Sequence, residues 1–294
     1  MAEQTLILGS ESHLVATLTP AAPGHTSSPR CVAVLTNSGV IPRIGPHRMN
    51  VHLARRFAAM GIPSIRFDLS GLGDSRRSTS TLPVTQQWVA DTRAAMDTAQ
   101  VQFGCDRFFM VGFCSGAEVA HLVGLEDKRL RAAVLWDLYA YPTAQSRLRT
   151  VLYRLQRAGL GGVAHKLLAR LGRLSAVGGK GAGGPGVEEQ LAAQPWTVPP
   201  RDEYARRIQT LVDGGVELLF AFCGGEPEWF NHHGQFRGMF GRYGFVDKVS
   251  FTYLHGSDHL ITRREAQQSF ADMVVQWLEQ RVLVAAAAAA VPAR

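Results

Sequence analysis

The most informative stretch of the sequence reads Val111-Gly112-Phe113-Cys114-Ser115-Gly116-Ala117-Glu118. It follows a largely apolar run, residues 107–111, of the kind that forms a buried strand. It precedes a helical pattern from Ser115 to about Leu125. The stretch therefore predicts a strand, a tight turn and a helix in immediate succession.

Gly112 and Gly116 frame Cys114 with the G-x-S-x-G spacing of a nucleophile elbow, with a thiol at the central position. Such a turn is sharp and strained, so it requires small neighbours and lifts the central side chain clear of the sheet. The helix N-terminus that follows favours a thiolate. Cys114 is the candidate nucleophile, and the alternative is a small buried cysteine beside a glycine-flanked turn.

Strand and helix patterns alternate on both sides of this stretch, which predicts an α/β fold with a mostly parallel central sheet and helices on both faces. Near the N-terminus, residues 5–8 and 13–18 alternate apolar and polar side chains and predict an antiparallel hairpin at a sheet edge. The other predicted strands are 31–36, 62–67, 107–111, 131–136, 216–222 and 248–254, and the predicted helices are 49–60, 83–102, 115–125, 202–212 and 263–284.

The alternation stops between residues 142 and 200, where two basic amphipathic stretches lead into a glycine-rich loop. From Thr143 to Pro200 there are eight Lys or Arg residues against two acidic ones. We predict an inserted helical cap over residues 142–200, between core segments 1–141 and 201–284, with an alanine-rich tail over 285–294. The basic cap would suit an acidic partner, and a solvated helical face is the alternative.

Composition limits the class of protein. With 294 residues and 46% hydrophobic content, the chain can bury a large core. The cysteines Cys31, Cys105, Cys114 and Cys223 are scattered, which argues against a structural zinc site or a disulfide framework and fits a reducing cytoplasm. No secretory signal pattern is present, and the longest apolar run, residues 282–291, is too short to span a bilayer. We expect a cytoplasmic, soluble protein.

The formal net charge of +7 favours acidic partners. Nucleic acid is disfavoured as a partner because no recognition motif accompanies the charge.

A thiol nucleophile needs a base, a group that orients the base, and N–H donors for the oxyanion. In parallel sheets such groups collect at the carboxyl ends of strands. His259 follows the last predicted strand and is preferred as the base over His255, which lies nearer the strand. The adjacent pair His232-His233 lacks a supporting ligand cluster, so we predict no metal site.

Two carboxylates compete for the orienting role. Glu226 lies in the loop after strand 216–222 and is preferred, and Asp137, at the end of strand 131–136, is the alternative. The expected oxyanion donors are the backbone N–H groups of Ser115 and Ser38. The aromatic residues near strand ends that could line an acyl pocket are Trp136, Tyr139, Tyr141, Trp196 and Trp229.

These motifs make the chain resemble the α/β-hydrolase superfamily over nearly its whole length. The loop Asp68-x-x-Gly71-x-Gly73-x-Ser75 matches the D-x-x-G-x-G-x-S loop of that superfamily, where it is expected to be structural. Residues 37–48, 67–71 and 112–117 are similar to the serine-aminopeptidase-like branch associated with exosortase and secondary-metabolite clusters. The chain departs from that branch by its elbow cysteine, a feature similar to dienelactone hydrolases and to carrier-protein aminoacyl- and acyl-transferases.

The resemblance and the thiol together suggest a Cys-His-Glu acyl-transfer enzyme acting on a thioester, as a transacylase or a thioesterase. The expected partner is an acyl thioester, with an acidic acyl or peptidyl carrier protein as a candidate donor. No cofactor is expected beyond the phosphopantetheine arm of such a substrate. A small-molecule ester or lactone hydrolase is the enzymatic alternative, and a non-catalytic binding protein on a hydrolase scaffold is the alternative of another class.

Overall fold

The computed structural model describes residues 2–25, 31–157 and 198–283. Within these residues the strands are β1 (Gln4–Leu8), β2 (Leu14–Thr19), β3 (Val32–Leu35), β4 (Ser64–Phe67), β5 (Phe108–Phe113), β6 (Leu130–Trp136), β7 (Glu217–Cys223) and β8 (Ser250–Leu254). They form one sheet in the order β1-β2-β4-β3-β5-β6-β7-β8. The β1–β2 and β2–β4 pairs are antiparallel and the other pairs are parallel, which confirms the predicted fold class.

Helices cover both faces of this sheet. In chain order they are α1 (Met49–Ala59), α2 (Val84–Phe103), α3 (Ser115–Glu126), α4 (residues 144–157), α5 (Arg201–Asp213), α6 (Gln235–Phe240) and α7 (Arg264–Trp277). Apolar residues of α1 and α7 pack in one core cluster, and those of α2, α3, α5 and α6 pack in the other. None of the described helices combines the length and apolar character that crossing a bilayer requires.

The strand β5 shows why the elbow lies at the centre of the sheet. All six of its residues are buried, and its side chains alternate between the two core clusters. Phe108 and Met110 belong to the α2 and α3 side, whereas Phe109, Val111 and Phe113 belong to the α1 and α7 side. Burying each large apolar side chain contributes about 1.5–3 kcal/mol to stability. An apolar run on both faces therefore holds β5 in the middle of the sheet.

The predicted insertion is described only in part. Helix α4 and residues 198–200 belong to it, and α4 is joined to the loop after β7 because the side chain of Asn231 donates a hydrogen bond to the Ser146 carbonyl at 3.0 Å. Residues 158–197, which include the glycine-rich loop and Trp196, and the predicted tail at 285–294 lie outside the described residues. The cap and the tail remain predictions.

Candidate active site

Cys114 is the point at which the chain turns from β5 into α3. Its N–H donates to the Trp136 carbonyl at 3.0 Å, which extends the β5–β6 ladder by one residue. Its own carbonyl accepts the N–H groups of Ala117 and Glu118, at 3.0 and 3.3 Å, which begins the helix. The reversal requires φ 51° and ψ −115° at Cys114, a strained conformation that costs about 1–3 kcal/mol and is typical of functional turns.

The two flanking glycines are required by close backbone contacts. A Cβ atom on Gly112 would lie 2.4 Å from the carbonyl oxygen of Gly116. A Cβ atom on Gly116 would lie 2.6 Å from the carbonyl oxygen of Asn37, in the loop after β3. The elbow, the helix and this loop therefore approach one another only because neither position has a side chain.

His259 and Asp137 meet next to this elbow although they are far apart in the chain. The His259 Nδ1 atom lies 2.9 Å from Asp137 Oδ2, and the indole N–H of Trp136 donates to the His259 carbonyl at 2.9 Å. The Asp137 side chain is 2% exposed, whereas that of His259 is 31% exposed. Because Nδ1 faces Asp137, Nε2 is the ring nitrogen that remains for Cys114.

The imidazole of His259 lies in surroundings that favour its protonated form. Its hydrogen bond with Asp137, followed by one with Cys114, raises the pKa of His259 to about 10, against the opposing effect of burial. These two hydrogen bonds therefore favour the imidazolium form of the ring. An imidazolium between a carboxylate and a thiol can stabilise a thiolate and later supply a proton.

Asp137 is held in place by the neighbouring strand β7. Its N–H donates to the Ala221 carbonyl at 2.9 Å, and its Oδ1 accepts the N–H of Cys223 at 2.8 Å. The Asp137 backbone has φ 48°, in the left-handed region that Asp tolerates better than most residues. Burial raises the pKa of the Cys223 thiol well above its ordinary value, so this second cysteine stays neutral beside the site.

The structure corrects the sequence-based preference for Glu226 as the orienting acid. Glu226 is exposed, and the partner of His259 Nδ1 is Asp137. The reason lies in the preceding residues: Gly224 donates to the Leu254 carbonyl at 3.0 Å, and Gly225 donates to the Ser257 carbonyl at 2.8 Å. These bonds hold the loop against the end of β8 and the residues that follow it, and Glu226 then begins a separate turn.

The predicted oxyanion donors differ in availability. Ser115 is the first residue of α3, where helix N–H groups have no intrahelical acceptor, so its N–H suits the role. The N–H of Ser38 instead donates to the Ile41 carbonyl over a long 3.4 Å, and the N–H of Gly39 donates to Ser115 Oγ at 2.7 Å. The loop after β3 thus lies beside the elbow as expected, but Ser38 is engaged within the loop.

A network around Asp68 holds that loop against the sheet. Asp68 is fully buried and accepts hydrogen bonds from the Asn37 side chain at 3.1 Å and from the Arg43 backbone at 2.6 Å. The guanidinium of Arg43 also pairs with Asp68 and with Asp74. These contacts show what the glycine-bearing loop at residues 68–75 does structurally, in keeping with the expectation from its sequence.

The remaining candidate histidines lie away from the Cys114–His259 contact. His255 is exposed and lines an open cavity of about 350 Å³ between the end of β8 and the start of α7. His232 Nδ1 contacts Asn231 Oδ1 at 2.8 Å. Among the residues that the structure describes, no group of three or more His, Cys, Asp or Glu side chains could hold a metal ion.

Trp136 and Tyr139 are buried rather than open to a substrate, with exposures of 0% and 2%. Trp229 is 37% exposed, and its indole donates to the Leu138 carbonyl at 3.3 Å. Sequence reasoning missed the support that Trp136 gives to His259. The available signal was its position directly before Asp137.

This geometry is that of an α/β-hydrolase fold, and solved structures of α/β hydrolases are similar over nearly the whole chain. An esterase from Pyrococcus furiosus has a TM-score of 0.60 at 14% identity and covers 96% of this chain and 91% of its own. An α/β serine hydrolase from Xanthomonas campestris has a TM-score of 0.56 at 12% identity, with 95% and 94% covered. A meta-cleavage product hydrolase from Pseudomonas fluorescens has a TM-score of 0.54 at 16% identity, with 94% and 97% covered.

The sequence is also similar, over residues 42–166, to a family model described as serine aminopeptidase, S33. That region includes Cys114 and Asp137 but ends before His259. No curated protein matches the chain significantly in sequence. At these identities the similarity establishes the fold and not the chemistry.

Proposed function

We propose that this chain is an acyl-transfer enzyme in which Cys114 forms a covalent acyl intermediate with a thioester substrate. The observation that carries the proposal is the contact of His259 with both Cys114 and the buried carboxylate of Asp137. Together the three side chains supply a nucleophile, a proton carrier and an orienting acid.

In the proposed reaction, the Cys114 thiol gives its proton to His259 Nε2, and the Cys114 thiolate attacks the thioester carbonyl carbon. The bond between this carbon and the donor sulfur then breaks, and the departing thiolate takes a proton from His259 Nε2. Asp137 holds His259 Nδ1 throughout. The N–H of Ser115, at the start of α3, is the proposed donor to the oxyanion that forms on attack. A second thiol or water then releases the acyl group by the reverse sequence.

A thiol nucleophile suits thioester donors for an energetic reason. An acyl-Cys intermediate is itself a thioester, so exchange with another thiol is nearly isoenergetic and reversible. A serine intermediate would be an oxygen ester and would lie downhill from the thioester donor. Cys114 therefore favours transfer between thiols wherever water is kept from the intermediate.

The proposed donor is a thioester on a phosphopantetheine arm, carried by an acidic acyl or peptidyl carrier protein. The support is electrostatic: α4 contains Arg147, Arg149, Arg154 and Arg157 and no acidic residue. Arg154 already pairs with Glu228 at 2.8 Å and Arg157 donates to the Tyr153 hydroxyl at 3.2 Å, and in this proposal the exposed Arg147 and Arg149 face the partner. The chemistry itself requires no bound cofactor.

Hydrolysis of a small ester or lactone is the second candidate. It is favoured by the solved structures of similar fold, two of which are named as an esterase and a meta-cleavage product hydrolase. The same three side chains would serve, with water as the acceptor. The nature of the acceptor therefore decides between the two candidates.

Intact-protein mass spectrometry on wild type, Cys114→Ala and Cys105→Ala tests the proposal. Each protein is mixed with acyl-CoA and acyl-carrier thioesters, and a free thiol is then added. We expect an acyl adduct on wild type and on Cys105→Ala, whose altered cysteine is buried away from the site, and none on Cys114→Ala.

Transfer of the adduct to the added thiol faster than hydrolysis supports a transacylase, and loss mainly to water supports a thioesterase. Cleavage of esters or lactones without acylation by any thioester would favour the hydrolase candidate. No reaction with any substrate would overturn both and favour a non-catalytic binding protein.

A further inference from the structure

Close to the elbow in sequence, a partly buried hydrogen bond joins the two elements that carry Cys114 and Asp137. The hydroxyl of Tyr139 donates to Glu118 Oε1 at 2.6 Å. Glu118 lies in the first turn of α3, four residues after Cys114, and Tyr139 lies two residues after Asp137. The bond therefore spans the nucleophile helix and the turn that carries the acid.

The surroundings of this pair make the bond strong and fix its geometry. Tyr139 is 2% exposed and Glu118 is half-buried. Burial raises the pKa of Glu118, and the hydrogen bond from Tyr139 opposes that rise, as a donor to a buried carboxylate should. The nearby Arg207 lowers the pKa of Glu118 to a smaller extent and is itself paired with Glu203.

The ring of Tyr139 is held from the side by a second aromatic residue. Tyr139 and Tyr204 pack edge to face, with ring centroids 5.0 Å apart and an interplanar angle of 88°. Tyr204 is fully buried on α5 and also contacts His121 of α3, with centroids 5.1 Å apart. The direction of the Tyr139 hydroxyl is thus set by packing on α3 and α5.

Asp137 requires such support because its backbone conformation is unfavourable. Its φ of 48° persists only where surrounding contacts hold it. Asp137 is anchored to β7, on one side of β6, because its N–H donates to the Ala221 carbonyl and its Oδ1 accepts the Cys223 N–H. The Tyr139–Glu118 bond anchors the same segment to α3, on the side of the nucleophile.

We propose that Glu118 and Tyr139 are a positioning pair that keeps Cys114 and Asp137 at the separation His259 needs to contact both. This inference rests on the proposed function, in which these three side chains react. Among the described residues, neither Glu118 nor Tyr139 has a side-chain hydrogen bond to Cys114, Asp137 or His259. The alternative is that the bond only satisfies a half-buried carboxylate, in which case its loss lowers stability and leaves the geometry of the site unchanged.

The test compares Tyr139→Phe with Tyr141→Phe. Tyr141 belongs to the same aromatic cluster, but its hydroxyl donates to the Pro199 carbonyl at 2.8 Å and does not reach α3. The primary readout is the titration of the His259 ring by nuclear magnetic resonance, assigned with a His259→Gln variant, which requires no substrate. We expect Tyr139→Phe to lower the pKa of His259 by about one unit, because its bond to Asp137 loosens, and Tyr141→Phe to leave it unchanged.

A second pair of variants tests the acceptor. Glu118→Gln keeps an oxygen that can accept the hydrogen bond from Tyr139, so the pKa of His259 should stay at its wild-type value. In Glu118→Leu the pKa of His259 should fall as it does in Tyr139→Phe.

The acylation of Cys114 provides a kinetic readout. In Tyr139→Phe we expect about a tenfold lower kcat with unchanged KM. Equal His259 pKa values in Tyr139→Phe and Tyr141→Phe, or equal losses in Glu118→Gln and Glu118→Leu, would overturn the proposal. If wild type is not acylated by any thioester, the proposed function fails, while the titration still decides the role of the pair.

Discussion

Strands β6 and β7 are neighbours in the sheet, and each is followed by a carboxylate, yet the two carboxylates have different environments. Asp137 comes directly after β6, with a side chain that is 2% exposed and bound to His259. Glu226 comes three residues after the end of β7 and is exposed. Both positions satisfy the rule that functional groups lie at the carboxyl ends of parallel strands.

The backbone that carries each carboxylate accounts for the difference. Asp137 still belongs to the sheet, since its N–H bonds to the Ala221 carbonyl of β7, and its left-handed φ turns the chain immediately afterwards. Glu226 follows Gly224 and Gly225, whose N–H groups are bound to the chain after β8. A strand-end carboxylate can therefore serve a site when its own backbone is fixed by the sheet, and proximity to a strand end alone is insufficient.

The largest expected effect comes from exchanging each of these carboxylates for its amide. In Asp137→Asn, the His259 Nδ1 atom loses its charged acceptor, and we expect the acylation rate to fall about 100-fold or more. Asn tolerates the same left-handed backbone, so the turn should survive. Glu226→Gln is the matched control and should stay within about twofold of wild type. Single-turnover acylation rates of the two variants are compared, and circular dichroism checks that both are folded. A severe loss of rate in Glu226→Gln with a mild loss in Asp137→Asn would show that Glu226, and not Asp137, supports His259.

An effect of about tenfold per pH unit is expected on the alkaline side of the pH profile. The proton on His259 is held with a pKa of about 10, and its loss leaves the departing thiolate without a proton donor. Acylation should thus decline above about pH 10, and in Asp137→Asn the decline should begin at lower pH, since the largest cause of the raised pKa is removed. Rates measured from pH 5 to 11.5 check this; activity lost instead as the pH falls through 6.5, the ordinary pKa of histidine, would show a neutral imidazole base.

The same raised pKa links protonation to folding. A group with a higher pKa in the folded state stabilises it fully below its unfolded pKa, here 6.5, and this contribution disappears as the pH rises through about 10. The free energy of unfolding of wild type should therefore decrease over that range more than that of His259→Gln. Urea denaturation at several pH values measures this difference, and parallel curves for the two proteins would contradict it.

The smallest effect concerns the residue at the end of β6. In Trp136→Phe the hydrogen bond to the His259 carbonyl is lost, and we expect a cost of about 1–3 kcal/mol in stability and a loss of several-fold in activity. Trp277→Phe is a matched control, because its indole is also buried but donates to Ser250 Oγ at 3.1 Å. It should lose stability without a specific loss of activity. Equal activity in the two variants would show that Trp136 does not orient His259.

Local sequence was sufficient to predict most of the fold. The runs that form β3 to β8 are short and apolar, and the helices between them have regular spacing, so their order follows from patterns a few residues long. The elbow could also be predicted from local sequence, because Gly112 and Gly116 are required by contacts within the turn and with the neighbouring loop after β3. The six-residue helix α6 was not predicted, since so short a segment carries little periodic signal.

The candidate site was predicted only in part. Cys114 and His259 follow from a motif and from a position after the last strand, and the structure brings them into contact. The choice of Asp137 over Glu226 and the engagement of Ser38 within its own loop did not follow from the sequence. The position of Asp137 depends on hydrogen bonds between segments that are distant in the chain. Ser38 is engaged by a bond to the Ile41 carbonyl inside a loop, which apolar periodicity does not indicate.

The physical reason for this division is the range of the forces involved. Hydrophobic periodicity and the steric demand of a tight turn act over neighbouring residues, so the chain alone specifies the alternating sheet and the cysteine at its elbow. Asp137 is placed beside His259 by donating its N–H to the Ala221 carbonyl and accepting the Cys223 N–H, while Gly224 and Gly225 donate to the chain after β8. Those bonds exist only once β6, β7 and β8 are side by side, so the assignment of the carboxylate belongs to the tertiary structure.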